Sequence, residues 1–262
     1  MNNFYFSTKK MCVGYDHKPL IKDMEIALPK GEILSLIGPN GAGKSTVLKS
    51  IAGQLQLLGG RVYLGEDTLS EMKQSELAKR MSIVFTERVR VEMKSCRDIV
   101  ATGRYPYTGW FGTLSKEDQR IVDEVMELTQ IREISEKDFD QISDGQKQRV
   151  MLARAICQEP EIVVLDEPTS YLDIKYKLEF FSLLQKMREK KGLTVIMSLH
   201  ELEFAKLVSD KILCLKGEYV QRYGTPEEIF ESDFIKRLFD IDEKSFSGNE
   251  KLLAYINGLE NM

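Results

Sequence analysis

Apolar residues fall into short continuous runs at both ends of the chain and into helical spacing in its middle. Ile33-Leu34-Ser35-Leu36-Ile37 is a compact apolar run ending at Gly38-Pro39-Asn40-Gly41, the form of a buried strand entering a loop. Behind that loop Val47, Leu48, Ile51, Ala52 and Leu55 share one helical face, and Gly59-Gly60 is expected to stop the helix. Met81 to Phe85 reads as another strand. Ile162-Val163-Val164-Leu165 and Thr194-Val195-Ile196-Met197 are apolar and β-branched, typical of strands covered on both faces. Between them a helix carries Leu178, Phe181, Leu184 and Met187 and closes at Lys190-Lys191-Gly192. Lys211 to Leu215 and Glu218 to Tyr223, joined at Lys216-Gly217, predict a hairpin. Thr225-Pro226-Glu227-Glu228 is a capping box with proline at the first helical position.

The texture differs between about residues 88 and 158. Ser115 with Asp118 opens a helix containing Ile121, Val125 and Leu128. Ser143 with Gln146 opens another, carrying Val150, Ala153, Ile156 and Cys157. The second helix begins with a very polar turn, Gln146-Lys147-Gln148-Arg149. Its N-terminus offers free N–H groups and a partial positive charge, which suits a phosphate. Strands and helices thus alternate at both ends with a helical insertion between them. That order argues an α/β core with a parallel sheet, interrupted by a helical subdomain.

Composition changes this picture little. The chain has 262 residues, and 42% hydrophobic content is ample for a sizeable core. A net charge of −4 gives no basic excess, so no nucleic-acid partner is expected. The start, MNNFYFSTKKM, has no apolar stretch of a signal peptide, and no run reaches the roughly 18 apolar residues of a membrane helix. Cys12, Cys96, Cys157 and Cys214 lie far apart and form no CxxC pair. They read as buried small hydrophobes in a reducing compartment. With His17 and His200 as the two histidines, a multi-histidine metal site is excluded. The tail after about residue 240 is short and polar.

The chemistry concentrates in three places. Gly38-Pro39-Asn40-Gly41-Ala42-Gly43-Lys44-Ser45 matches GxxxxGK[ST], the P-loop, with the strand before and the helix after that the motif requires. Its glycines let several backbone N–H groups face one anion. Lys44 reaches the β- and γ-phosphates, and the Ser45 hydroxyl binds Mg²⁺. Asp166-Glu167 follows an apolar strand, where a carboxylate is costly unless it meets a cation or donors. Asp166 is placed to hold Mg²⁺ from behind its direct ligands or through water, and Glu167 to polarise an attacking water. His200 lies just past the end of the next strand, where ligands of such sheets collect. His17 has no such setting.

Taken together, these residues resemble an ABC transporter ATPase over nearly the whole chain. "GPNGAGKST", Gly38 to Thr46, looks like Walker A, "IVVLDE" like Walker B with its catalytic glutamate, and "SYLD" (170–173) like the D-loop. "SLH" looks like the switch-histidine loop, and "ISDGQ" like the signature usually written LSGGQ. Tyr15 falls where the family stacks an aromatic on adenine. The resemblance implies a P-loop NTPase core with a parallel sheet, an N-terminal antiparallel β part and an inserted helical subdomain. One domain then spans 1–240, with its core at 1–87 and 159–240 and its helical part at 88–158, and a tail at 241–262.

The resemblance further implies ATP and Mg²⁺ as ligands. Ser143, Gly145 and Gln146 would serve the nucleotide held by a second copy, giving a head-to-tail homodimer with two composite sites. Glu167 and His200 would be catalytic, and Ser45, Asp166 and Glu87 metal-associated. Two positions depart from the pattern: Asp144 stands at the signature's first glycine, and Glu87 at the Q-loop glutamine. A carboxylate near a triphosphate must point away or pair with a base such as Lys147. Residues 101–118, "ATGRYPYTGWFGTLSKED", are similar to the ATPases of iron-siderophore, haem and cobalamin importers; Tyr105, Tyr107, Trp110 and Phe111 cluster there, either anchoring an interface, as such clusters often do, or packing the helical insertion internally. The expected assembly is peripheral, on the cytoplasmic face of the cell membrane. It holds integral permease subunits and, indirectly, a periplasmic or lipoprotein substrate-binding protein. An importer ATPase for another cargo such as metal ions, and a nucleotide-gated ABC protein without a transport role, are the alternatives.

Overall fold

The computed structural model describes residues 4–85, 94–109, 112–170, 172–231, 233–242 and 258. The chain opens with β1 (Phe6–Tyr15), β2 (Lys18–Met24), β3 (Ala27–Leu28) and β4 (Ile33–Ile37), followed by α1 (Lys44–Ile51), β5 (Gly59–Leu64) and β6 (Asp67–Thr68). Helices dominate next: α2 (Gln74–Arg80), the short strand β7 (Met81–Val84), α3 (Cys96–Ala101), a 3₁₀ turn (Thr102–Tyr107), α4 (Lys116–Leu128) and α5 (Asp144–Cys157). Then come β8 (Ile162–Leu165), α6 (Ile174–Lys191), β9 (Thr194–Ser198), α7 (Leu202–Val208), β10 (Lys211–Lys216), β11 (Tyr219–Gly224), α8 (Pro226–Phe230) and α9 (Phe234–Leu238).

These elements pack as two compact units, residues 1–71 with 195–262, and residues 72–194. In the first unit β1 pairs antiparallel with β2, β3 and β5, and β6 pairs antiparallel with β5. This is the expected N-terminal antiparallel part. The β1–β2 hairpin turns through Asp16 and His17, both at positive φ (48° and 59°), the primed geometry that matches strand twist. His17 is therefore a turn residue. In the same unit β4 runs parallel to both β10 and β9. All five residues of β4 and of β9 are buried, which is why both sequences read as continuous apolar runs. β10 and β11 form the predicted hairpin, with Gly217 at φ 65° in its turn.

In the second unit β7 runs parallel to β8, paired from Met81↔Ile162 to Val84↔Leu165. The expected helical stretch lies in this unit. Reciprocal capping boxes open α4 at Ser115/Asp118 and α5 at Ser143/Gln146, as the sequence predicts, and α3 at Ser95/Asp98, a box not anticipated. Val150, Ala153, Ile156 and Cys157 of α5 are buried together.

Three expectations are corrected. The helix behind the P-loop stops at Ile51, not at Gly59-Gly60: Gly53 turns left-handed (φ 70°), Leu55 lies beyond the helix, and Gly59 opens β5. The nearer glycine wins because it can leave the helical conformation without a Cβ penalty. Leu178 is 52% exposed, whereas Phe180, Phe181, Leu184 and Met187 form the inner face of α6. Leu178 instead lines an open groove of about 320 Å³ with Leu128, Arg149, Leu152 and Tyr176. Of the four cysteines expected to be buried, Cys96, Cys157 and Cys214 are, whereas Cys12 is partly exposed.

Candidate functional site

The P-loop is shaped by its glycines. Gly43 caps α1 in the left-handed conformation (φ 89°, ψ 13°), and a Cβ there would lie 2.9 Å from the Leu20 Cδ2. Gly38 has φ 153°, and a Cβ would meet the Leu215 carbonyl oxygen at 2.2 Å. Side chains are therefore excluded by conformation and by space at both ends of the loop. The Lys44 side chain is 6% exposed, and its Nζ donates to the carbonyls of Gly38 (2.8 Å) and Pro39 (3.1 Å). That curl holds the ammonium over the loop, while the first turn of α1 presents Ser45 and Thr46. Gly41 and Asn40 are exposed at the tip.

Tyr15 and His200 belong to the same unit. Tyr15 ends β1 with its ring half exposed, and its hydroxyl shares a 3.3 Å hydrogen bond with Thr46 Oγ1. An exposed aromatic thus stands tied to the first turn of α1. His200 is exposed two residues past β9. Because β9 lies parallel to β4 with Ser198 opposite Leu36, and Leu199 N donates to Leu36 O (3.1 Å), both chains leave the sheet at the same end. Carboxyl ends of parallel strands are where such sheets bind ligands.

In the second unit Asp166 and Glu167 follow β8. Asp166 is 7% exposed, with its N–H on the Val84 carbonyl (2.9 Å). Glu167 is half-buried at φ 47°. A left-handed non-glycine residue costs about 1–3 kcal/mol, and such strain gathers at functional positions. The Ser170 hydroxyl donates to Glu167 Oε2 at 3.2 Å, so a D-loop residue, to which the sequence alone assigns no role, orients the candidate base.

The signature helix starts as predicted. Ser143 Oγ accepts from Gln146 N (3.3 Å), and Ser143 N donates to Gln146 Oε1 (3.1 Å). Asp144, exposed, occupies the first helical position, where a negative charge favours the helix dipole. Lys147 Nζ donates to the Asp140 carbonyl (3.2 Å) and lies 5.8 Å from the Phe139 ring centre. The α-carbon side of Gly145 faces Leu172 and Tyr176, and a Cβ there would lie 3.5 Å from Leu172 Cδ2. Arg149 pairs with Glu179 and stacks over the Tyr176 ring at 4.3 Å. Within one unit the signature helix thus lies against Leu172 of the D-loop segment at its start and is clasped to α6 one turn later. Glu87, Trp110, Phe111 and Tyr171 lie outside the described residues.

Residues 21–170 match the family model described as ABC transporter. An uncharacterised ABC transporter ATP-binding protein of Methanocaldococcus jannaschii is 40% identical over 92% of this chain and 83% of its own length. The chain belongs to the ABC transporter family. Another relative, the iron(3+)-hydroxamate import ATP-binding protein FhuC of Bacillus subtilis, is 36% identical over 90% of this chain and 88% of its own. Among solved structures, a metal-chelate type ABC transporter in an inward-facing conformation aligns with TM-score 0.80 at 25% identity, covering 91% of this chain and 90% of that one. A dimeric ATP-binding cassette bound to ADP and phosphate after hydrolysis aligns with TM-score 0.73 at 25% identity, over 84% of this chain and 98% of its own. The fold class is that of P-loop NTPases, and the chain is an ABC-type ATPase. No helix among the described residues is long and apolar enough to cross a membrane.

Proposed function

We propose that this ABC ATPase drives import of an iron chelate, haem or cobalamin, as a homodimer seated on membrane permease subunits at the cytoplasmic face. The observation that carries the reading is the glycine-shaped P-loop with Lys44 held over it, Tyr15 tied to Thr46 on one side and His200 leaving the neighbouring strand on the other. Relatives with siderophore-import names over about nine-tenths of the chain support the cargo class.

In this reading backbone N–H groups of Gly38 to Thr46 hold the phosphates and Tyr15 stacks on adenine. Ser143, Gly145 and Gln146 bind the γ-phosphate of a second copy's ATP. Glu167, oriented by Ser170, accepts a proton from the attacking water, and His200 contacts the γ-phosphate. Mg²⁺ suits the available donors: the Ser45 hydroxyl and the buried Asp166 carboxylate are hard oxygens, and Glu87 offers another. Bound there, the ion would offset phosphate charge. The single domain of 1–240, with a helical part at 88–158, would carry the motion to the permease through the aromatic segment around Tyr105.

Glu167→Gln tests this directly. The change keeps the shape and removes the base, so ATP binding should survive while turnover falls by roughly 10²–10⁴-fold. ATP should then shift the variant to a dimer on size-exclusion chromatography. Normal turnover would remove Glu167 from the catalytic role.

A further inference from the structure

Thr102, Gly103 and Arg104 make three successive contacts with the C-terminal end of α5. The Thr102 hydroxyl oxygen accepts from Arg154 Nε (2.9 Å). Gly103 sits so close that a Cβ would lie 2.3 Å from the Arg154 carbonyl oxygen. Arg104, 5% exposed, donates through one terminal nitrogen to the Cys157 carbonyl (2.9 Å) and to Glu159 Oε2 (3.0 Å). Its Nε donates to Asp118 Oδ1 (2.9 Å), the carboxylate that closes the capping box of α4. Tyr107 stacks 4.0 Å from the guanidinium and donates its hydroxyl to the Gln158 carbonyl (2.9 Å). Glu159 in turn meets Lys191, the last residue of α6, at 3.4 Å. Tyr105, between Arg104 and Pro106, is 55% exposed.

One planar guanidinium therefore joins the 3₁₀ turn, the start of α4 and the end of α5, and α6 through Glu159. A lysine could keep the charge but not this fork with its stacked face. Burying such a group between two acids suits a fixed joint better than a flexible one, because loosening any arm leaves a buried charge short of a partner.

We propose that Arg104 is a positioning residue that locks the 102–107 turn rigidly onto α5, so that a displacement of the exposed Tyr105 edge reaches Ser143–Gln146 at the other end of that helix. The proposal rests on the importer reading for what does the pushing, and on the contacts above for the lock.

Arg104→Lys separates the lock from the fold, since Asp118 and Glu159 keep a cation; Arg104→Met serves as the severe comparison. Hydrogen exchange on the isolated chain is read at residues 102–107 and 154–159. Uptake of a ferric hydroxamate and ATP hydrolysis are then measured on the same vesicles, reconstituted with the permease that co-purifies with the chain from membranes. For Arg104→Lys, exchange should rise in those two segments while the melting temperature and ATP affinity hold. ATP consumed per cargo should rise about fivefold, the low end of typical coupling factors. Unchanged exchange would overturn the lock, and a wild-type ratio of ATP to cargo, or uptake and hydrolysis falling in proportion, would overturn the relay. If wild-type vesicles take up no chelate, the cargo reading fails instead, and the exchange result still decides the lock.

Discussion

Gly43 shows how much of this site rests on single residues. Its left-handed φ of 89° starts α1 at the end of the P-loop, and a Cβ would press on Leu20 at 2.9 Å. Gly43→Ala should therefore weaken ATP binding at least tenfold, as the left-handed conformation alone costs about 1–2 kcal/mol for an L-residue and the loop must shift besides. Titration with a fluorescent ATP analogue checks this; wild-type affinity would mean the loop tolerates another geometry. The cysteines make the opposite point, that burial silences chemistry. Burial pushes the thiols of Cys157 and Cys214 up to about 12, so neither carries appreciable thiolate at neutral pH. Native protein at pH 8 should leave both unmodified by iodoacetamide, while denatured protein reacts at all four positions; mass spectrometry of the peptides decides. The glycine-shaped curl of the P-loop was legible because its signal is local in sequence. Arg104 was not, because its partners stand 14 and 55 positions away, and an arginine among aromatics has no local pattern that announces burial.

At the scale of elements, legibility followed how local the signal is. Caps at Ser115, Ser143 and Thr225 span only four residues, and all three form reciprocal boxes. The face of α6 needs tertiary context, and Leu178 fell on the wrong side because the groove beside α5 leaves it open. The start of α4 also carries a pH signature. The Ser115 hydroxyl bond holds the Asp118 carboxyl below the usual range; burial opposes it, and Arg104 adds to the lowering. Burial likewise works against the Arg104 charge, and Asp118 and Glu159 more than offset it. A carboxylate with a depressed folded pKa contributes stability that is complete above its unfolded value, about 3.9, and is lost as pH falls through the lower folded value. The urea midpoint should hold from pH 7 to about 4.5 and then fall toward pH 2. Ser115→Ala removes the largest cause, so its midpoint should start lower at pH 7 and fall less steeply below pH 4. Equal acid slopes for the two proteins would show that Asp118 is not among the titrating groups.

For the whole molecule the question is whether Ser143 serves a nucleotide held by a second copy. The two compact units divide the sequence motifs between them: Walker A, Tyr15 and His200 in one, the acids after β8 and the signature in the other. The signature turn has the attributes of an anion site, a capped α5 start with Gly145 placed against Leu172 and the clasp of Arg149 on Glu179 and Tyr176 behind it. If that turn completes a second copy's site, a bulky cation there should act on assembly and not on the chain's own ATP. Ser143→Arg removes the cap hydroxyl and fills the turn. It should leave ATP affinity of the monomer within about twofold, since surface changes remote from a site alter stability by no more than about 0.5 kcal/mol. In the Glu167→Gln background it should abolish the ATP-induced dimer. Mixing it with a Lys44→Ala chain gives the sharper version. The mixed dimer pairs one intact Walker A with one intact signature, and only a site made in trans recovers hydrolysis from two chains that are each inactive alone. Light scattering and a phosphate-release assay on the mixture read both effects. Collapse of monomer binding, or an absence of recovery in the mixture despite dimer formation, would place the Ser143 turn outside any shared site.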